Sequence, residues 1–169
     1  MRFPMLMLVI VSLSVRDAVF ADVPRIAEFQ ITTDTSTQYY PAIWEHTVVW
    51  YDYRNGNADI YCYDLVTSIH SQVTSNTSAQ EYPAIYDDIL VWQDDRNGNW
   101  DIYGYDFDTS TEFRITTDTA DQRRPAVHGD TVVWYDRRNG NWDVYGYDLS
   151  TETEFQITTD DSDHLSPAV

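Results

Sequence analysis

Residues 47–65 read Thr-Val-Val-Trp-Tyr-Asp-Tyr-Arg-Asn-Gly-Asn-Ala-Asp-Ile-Tyr-Cys-Tyr-Asp-Leu. Thr47 to Tyr51 is β-branched and aromatic, the composition of a strand. Arg54-Asn55-Gly56-Asn57 follows, and Asn-Gly is the strongest short signal for a hairpin turn because both central positions need positive φ. Asp59 to Leu65 then reads as the returning strand. Outward from this hairpin, Pro41-Ala42-Ile43-Trp44 supplies a strand before it, and Ile69 to Thr74 a strand after a Thr/Ser turn. The reading is four strands, at 41–44, 47–52, 59–65 and 69–74. No stretch carries a helical apolar period long enough to compete.

The pattern recurs. Pro41, Pro83, Pro125 and Pro167 stand 42 residues apart, as do Trp50, Trp92 and Trp134, and Ile31, Val73, Ile115 and Ile157. Segments 83–124 and 125–166 share 25 of 42 positions. A period near 42 with four strands is the length of one propeller blade. The second strand is apolar on both sides, with Val48 and Trp50 on one and Val49 and Tyr51 on the other. Such a sheet must be covered on both faces, as a blade is by its neighbours. Cys62 steps to Gly104 and Gly146, which suggests a small residue admitting a large ring from the next blade.

The run Asp136-Arg137-Arg138-Asn139-Gly140-Asn141-Trp142-Asp143-Val144-Tyr145, with copies at 52–61 and 94–103, resembles the signature of TolB-like propeller repeats. There an Asp-Arg-Asp/Asn-Gly-Asn turn leads into an Asp-Ile-Tyr strand. The resemblance covers about 31–169 and is similar to the version found in tandem on secreted and cell-surface proteins of archaea and bacteria. The chain departs from it where Glu45-His46, Asp87-Asp88 and Gly129-Asp130 replace a Ser-Pro-Asp-Gly turn. No separate N-terminal TolB domain is apparent, so the resemblance is to the repeat rather than to TolB itself. The fold expectation is all-β, a propeller of four-stranded antiparallel blades at about 33–74, 75–116 and 117–158. Residues 25–32 match the last strand of a preceding blade, and 159–169 begin another. Three blades cannot close a ring, for which about four to eight are needed. The expectation is therefore a partial propeller: the remainder of a longer one, or half of a six-bladed ring completed by a homodimer. Six is the number that the resemblance implies.

Residues 1–21 read as an export signal: Met1-Arg2, an apolar run from Phe3 to Val15 too short to span a bilayer, and small residues at Val19 and Ala21 before a cut at Asp22. Cleavage and retention as an anchor both remain open. No transmembrane span is expected beyond this segment. The remaining 22–169 holds the repeats. The chain of 169 residues has 28 acids and 10 bases, a formal charge of −18, and every base is Arg. Removing Arg2, Arg16 and Asp17 leaves 27 acids against 8 bases. Such a balance argues against nucleic acid and against docking on anionic membrane by a basic patch. One cysteine excludes a disulfide framework and a Cys-rich zinc site.

Candidate chemistry lies in the repeated turn: Asp52, Arg54, Asn55 and Asn57; Asp94, Arg96, Asn97 and Asn99; Asp136, Arg138, Asn139 and Asn141. Strand alternation places these on one face with the polar loops that begin at Asp34, Asn76, Asp118 and Asp160, a face where propellers often bind partners. Repetition in every blade favours a structural role, through local ion pairs and side-chain-to-backbone bonds. The alternating oxygen donors suit Ca²⁺, but the spacing is not an EF-hand loop. No cofactor is expected. His46, His70, His128 and His164 occupy unrelated repeat positions, which argues against zinc. No nucleophile elbow, P-loop or dinucleotide fingerprint appears, so no catalytic residue is assigned. The functional expectation is a non-enzymatic binding or scaffold module for a protein or glycan, secreted, at the cell surface or in the periplasm. The alternative is the propeller portion of a secreted hydrolase or glycan-degrading enzyme.

Overall fold

A computed structural model describes residues 28–165 and 167–168. The expected export signal at 1–21 therefore lies outside the described residues. Twelve strands run in chain order: β1 Gln38–Trp44, β2 Thr47–Asp52, β3 Asp59–Asp64, β4 His70–Gln72, β5 Gln80–Tyr86, β6 Ile89–Asp94, β7 Asp101–Asp106, β8 Thr111–Arg114, β9 Gln122–His128, β10 Thr131–Asp136, β11 Asp143–Asp148 and β12 Thr153–Gln156. They form three antiparallel four-stranded sheets, β1-β2-β3-β4, β5-β6-β7-β8 and β9-β10-β11-β12. The expected all-β propeller with three blades is what the structure shows.

The first strand of each blade begins three residues earlier than the sequence suggests, at Gln38, Gln80 and Gln122. A bulge explains the difference. Tyr39 pairs with Tyr51 and Ala42 with Val49, so Tyr40 and Pro41 together face Trp50 alone. The same break lies at 82–83 and 124–125. A bulge accommodates proline, which has no N–H to give the ladder, and the strand regains register beyond it. The fourth strand is shorter than expected in the first blade, spanning only His70–Gln72. No strand forms over the described residues 28–32.

The two apolar faces of each second strand pack as the pattern requires. Val49, Tyr51 and Ile60 of the first blade meet Leu90, Trp92 and Tyr103 of the second. Val91, Ile102 and Ile115 of the second meet Val132, Trp134 and Tyr145 of the third. Each blade thus turns a trailing aliphatic face onto the next blade's leading Trp face. Trp50, Trp92 and Trp134 are fully buried.

The small residue at 62, 104 and 146 serves a neighbour other than the one expected. A Cβ on Gly104 would stand 2.5 Å from Phe113 Cζ, and one on Gly146 would stand 2.6 Å from Phe155 Cζ. Both rings belong to the outer strand of the same blade and lie directly across the ladder. In the first blade Cys62 faces Ser71 instead. The ring covers a glycine of its own sheet, so the residue is small for an intra-blade reason.

Candidate functional site

The Asp-Arg-Asn-Gly-Asn turn is built around two carboxylates, both buried in every blade. Asp52, Asp94 and Asp136 each accept a hydrogen bond of 3.1 Å from the indole Nε1 of Trp50, Trp92 and Trp134. They also accept from the backbone N–H two residues on, at 2.9 to 3.1 Å. The guanidinium of Arg54, Arg96 or Arg138 completes each carboxylate at 2.5 to 2.6 Å. That guanidinium lies 3.9 to 4.3 Å from the ring centre of Tyr61, Tyr103 or Tyr145. A buried charge is tolerable only when paired and hydrogen-bonded, and these are both. Burial alone would lower the Arg96 and Arg138 guanidinium pKa. Bonds to Asp94 with Glu112, and to Asp136 with Glu154, outweigh burial and raise it.

The second carboxylate is Asp59, Asp101 or Asp143. Asn55, Asn97 and Asn139 donate to it at 2.8 to 3.0 Å and also to the hydroxyl of Tyr61, Tyr103 or Tyr145. Asn57, Asn99 and Asn141 reach across to the next repeat. Asn57 donates to the Asn76 and Ser78 carbonyls, Asn99 to Asp118 and Ala120, and Asn141 to Asp160 and Ser162, all at 2.9 to 3.1 Å. The turns and the loops do share a face. Only the glycine of each Asn-Gly pair is left-handed, Gly56, Gly98 and Gly140 at φ of 97°, 90° and 99°, whereas the expectation is positive φ at the asparagine too. Each turn closes instead by the glycine N–H donating to the carbonyl of Tyr53, Asp95 or Arg137 at 3.0 to 3.1 Å, which leaves the asparagine as an ordinary turn residue. The twelve turn residues therefore carry bonds that hold each blade together and tie it to the next. Burial, the largest influence on Asp59, raises its pKa. Among the described residues no group of three or more His, Cys, Asp or Glu is arranged to hold a metal ion.

The first blade departs from the other two at the arginine. Arg96 and Arg138 also pair with Glu112 and Glu154, at 2.6 and 2.5 Å. His70 takes that position in the first blade, its ring 5.3 Å from Trp50 and 5.5 Å from Tyr61. Arg54 instead approaches Asp34 at 3.9 Å. Burial and then the Arg54 charge lower the His70 pKa and keep the ring neutral near pH 7.

A second cluster was not singled out by sequence. The inner strands β1, β5 and β9 place Tyr40, Tyr82 and Arg124 at the bulge, at φ of 49°, 55° and 50°. Left-handed backbone is costly for residues with bulky side chains, on the order of 1–2 kcal/mol. These three line one groove of about 240 Å³ with Pro41, Pro83, Pro125 and Pro167. The Tyr40 and Tyr82 rings lie 4.3 Å apart, and the Arg124 guanidinium lies 4.7 Å from the Tyr82 ring. Arg124 makes no ion pair among the described residues. Burial, and next the neighbouring Tyr40 hydroxyl, raise the Tyr82 pKa, so its phenol stays protonated. The signal in the sequence is negative: 40, 82 and 124 precede invariably spaced prolines, yet the residue changes from Tyr to Arg. At the far end of the same strands Trp44, Tyr86 and His128 form a ladder with ring centres 4.1 and 4.4 Å apart.

No protein-family model matches the chain, and no curated protein matches its sequence. Its three-dimensional likenesses are distant in sequence. TolB from Acinetobacter baumannii superposes with a TM-score of 0.72 at 20% identity, over 88% of this chain and 39% of that one. A puromycin-hydrolyzing peptidase of Mycobacterium tuberculosis gives 0.65 at 15% identity, over 82% and 24%. The β-propeller domain of the trilobed protease from Pyrococcus furiosus gives 0.57 at 13%, over 72% and 43%. The chain thus spans less than half the length of each of these proteins. At such identities the likeness concerns the fold, and in fold the chain is three blades of a TolB-like β-propeller.

Proposed function

We propose that the chain is a non-enzymatic propeller module of the cell envelope or exterior that binds a protein partner at the inner rim, through Tyr40, Tyr82 and Arg124. One observation carries this reading. Three successive blades hold a large side chain in left-handed backbone at one place, and there the residue changes from Tyr to Arg while the framework around it repeats. Local strain that persists in this way is a mark of function. Two tyrosine rings and an arginine without an acidic partner among the described residues are also the residue types that dominate protein interfaces. The groove suits a segment that seats an apolar side chain against the rings and offers Arg124 a carboxylate or carbonyl oxygen. The overall acidity favours a partner whose remaining surface is neutral or basic. The likeness to TolB supports a protein-binding scaffold over an enzyme, and the signal-like residues 1–21 support export. The turn residues from Asp52 to Asn141 serve this reading as the frame behind the rim.

The test is a random linear peptide library displayed on phage, selected on the wild-type chain. Peptides that bind the wild type and lose at least tenfold in affinity on Tyr82→Ala and Arg124→Ala, with unfolding midpoints unchanged, support the proposal. Peptides indifferent to both substitutions overturn it, as does an immobilised glycan set that binds through the same residues when no peptide does. The likeness to peptidases favours a second reading, the propeller portion of a secreted hydrolase. The sequence encoded beyond Val169 decides between the two.

A further inference from the structure

The outer cleft between the first and second blades departs from its counterpart one blade on at several positions at once. The first cleft is a groove of about 570 Å³ and the second one of about 420 Å³. In the second, the Phe113 ring lies over Gly104 and lines the groove. Phe155 lies over Gly146 in the same way in the third blade. In the first blade Ser71 stands at the repeat position of both rings, across the ladder from Cys62. The groove is larger where the ring is replaced. Ile69 takes the place of Thr111 and Thr153, and Phe107 the place of Leu65 and Leu149. The lining is thereby apolar and aromatic over Cys62, Ile69, Val73, Tyr105 and Phe107. The Tyr105 and Phe107 rings meet edge to face with centres 5.1 Å apart, which offers an entering ring aromatic contact.

The charges of the two clefts differ as well. Arg114 lines the second beside Asp106 and Glu152. Its counterpart in the first is Gln72, and the charged groups that line that groove are Asp64, Asp87 and Asp88. Asp64 spends its carboxylate on the N–H groups of Val66 and Thr67, at 2.8 and 2.7 Å. Asp87 and Asp88 form no ion pair among the described residues. Desolvation, and then the like charges of Asp87, Asp108, Asp106 and Glu45, raise the Asp88 pKa. His46 acts on Asp64 rather than on this pair. Asp87 also sits at φ of 52°, where the third blade has Gly129.

We propose that this cleft binds a small organic cation that carries an aromatic ring, an arylalkylamine or its guanidine analogue. The ring takes the place that Phe113 holds one blade on, over Cys62 and against Tyr105 and Phe107. The cationic group faces Asp87 and Asp88 and relieves their mutual repulsion. The chain itself supplies the template for the ring, because the same framework seats a phenyl group there in the second and third blades. The unpaired aspartates select a cation over a neutral or acidic ligand, and nearby aromatic faces favour the same sign of charge. A groove of this volume, largely apolar with a few charged groups, has the proportions of a small-molecule site. It shares no lining residue with the inner-rim groove, so the two readings stand or fall separately.

The test is calorimetric titration of the full chain with phenethylammonium at about 0.15 M salt, where a Debye length of about 8 Å removes most of the pull of distant carboxylates. Saturable binding at one site is expected. Phenethyl alcohol keeps only the ring and butylammonium only the charge, and each is expected to bind at least tenfold more weakly. Cys62→Gly combined with Ser71→Phe rebuilds the pair of the second blade, fills the groove from within and is expected to abolish binding. Asp87→Gly installs the residue of the third blade at a left-handed position, which spares the fold. It is expected to weaken phenethylammonium at least fivefold and to leave phenethyl alcohol unchanged. Urea unfolding midpoints no lower than that of the wild type show that these losses do not come from unfolding. Butylammonium binding as tightly as phenethylammonium overturns the proposal, since the general acidity of the chain then explains it. Equal binding of phenethyl alcohol overturns it too, as does phenethylammonium binding that survives the exchange at 62 and 71, or no saturable binding at all. A displayed peptide that this exchange releases, where phenethylammonium never binds, makes the cleft a protein-docking surface and overturns the small-molecule reading.

Discussion

The pairing of a small residue with a ring across the outer ladder predicts a compensating exchange between blades. The second blade has Gly104 under Phe113, and the first has Cys62 beside Ser71. Gly104→Cys places a Cβ 2.5, 2.7 and 3.1 Å from three atoms of the Phe113 ring, where ordinary contact needs more than 3.4 Å. Replacing glycine inside a strand normally gains roughly 0.5–1 kcal/mol from reduced backbone entropy. Overpacking costs roughly 1–3 kcal/mol. The clash is with ring carbons rather than a flexible tip, so the cost wins and Gly104→Cys destabilises by about 1–2 kcal/mol. Phe113→Ser alone uncovers Gly104 and loses ring burial, about 1–1.5 kcal/mol for a half-buried ring. Together they recreate the Cys62–Ser71 pair, and the clash disappears. A double-mutant cycle is expected to show about 1–2 kcal/mol of favourable coupling. The assay is equilibrium urea unfolding followed by tryptophan fluorescence, with coincident circular dichroism to confirm one transition. Coupling within about 0.5 kcal/mol of zero would refute the argument, since it would mean that Phe113 swings aside at no cost.

Asp94→Ala strips a buried Trp92 indole and the Arg96 guanidinium of their shared acceptor, and about 3–5 kcal/mol of stability is expected to go with it, measured by urea unfolding. Asp94→Asn, which keeps one acceptor oxygen, is expected to lose about half as much. Lowering the pH is expected to weaken the first blade. The His70 pKa is depressed in the fold, so its contribution is complete above the unfolded value near 6.5 and declines as pH falls through the folded one. His70→Glu restores the acid found at 112 and 154 and is expected to remove that dependence, seen by hydrogen exchange at Val48 and Trp50. Gly98→Val is expected to cost about 1–2 kcal/mol through backbone strain alone, because a Cβ there meets open space while φ is 90°. Gly98→Asn is expected to cost less than half of that, in the same unfolding assay.

The fold was legible because it is stated three times. Asn-Gly fixes each hairpin, and two-sided apolar strands demand neighbours on both faces. What escaped the reading has physical causes. The bulge at 40–41, 82–83 and 124–125 leaves no mark except a proline, which also suits a strand end. The partner of Gly104 was misplaced because spacing along a strand shows that a side chain must be small, but not which element approaches it. The turn network was legible in kind, since Asp, Arg and Asn two residues apart bond locally. Its reach from Asn57 to the Asn76 and Ser78 carbonyls depends on how successive blades are stacked. The inner rim was missed because the change from Tyr40 and Tyr82 to Arg124 breaks the repeat, and a position that breaks a repeat cannot be recognised by repetition.

That last point orders the whole molecule. Residues that recur every 42 positions, such as Trp92, Asp94, Arg96, Asn97, Asn99 and Asp101, spend nearly all of their polar atoms within the chain, the buried Nε of Arg96 being an exception, so they have little left to offer a partner. Residues that break the repeat are those whose neighbours do not satisfy them. Arg124 replaces Tyr40 and Tyr82 and has no carboxylate to pair with among the described residues. His128 replaces Trp44 and Tyr86 on a ladder that would stack as well with a third large ring. If the repeat were maintained for binding, substitutions in the turn would alter affinity before stability. The buried carboxylates require the opposite order for the turn, where a variant falls apart before it could lose a ligand, and the proposed rim site predicts that a rim variant loses its peptide while its unfolding midpoint stays put.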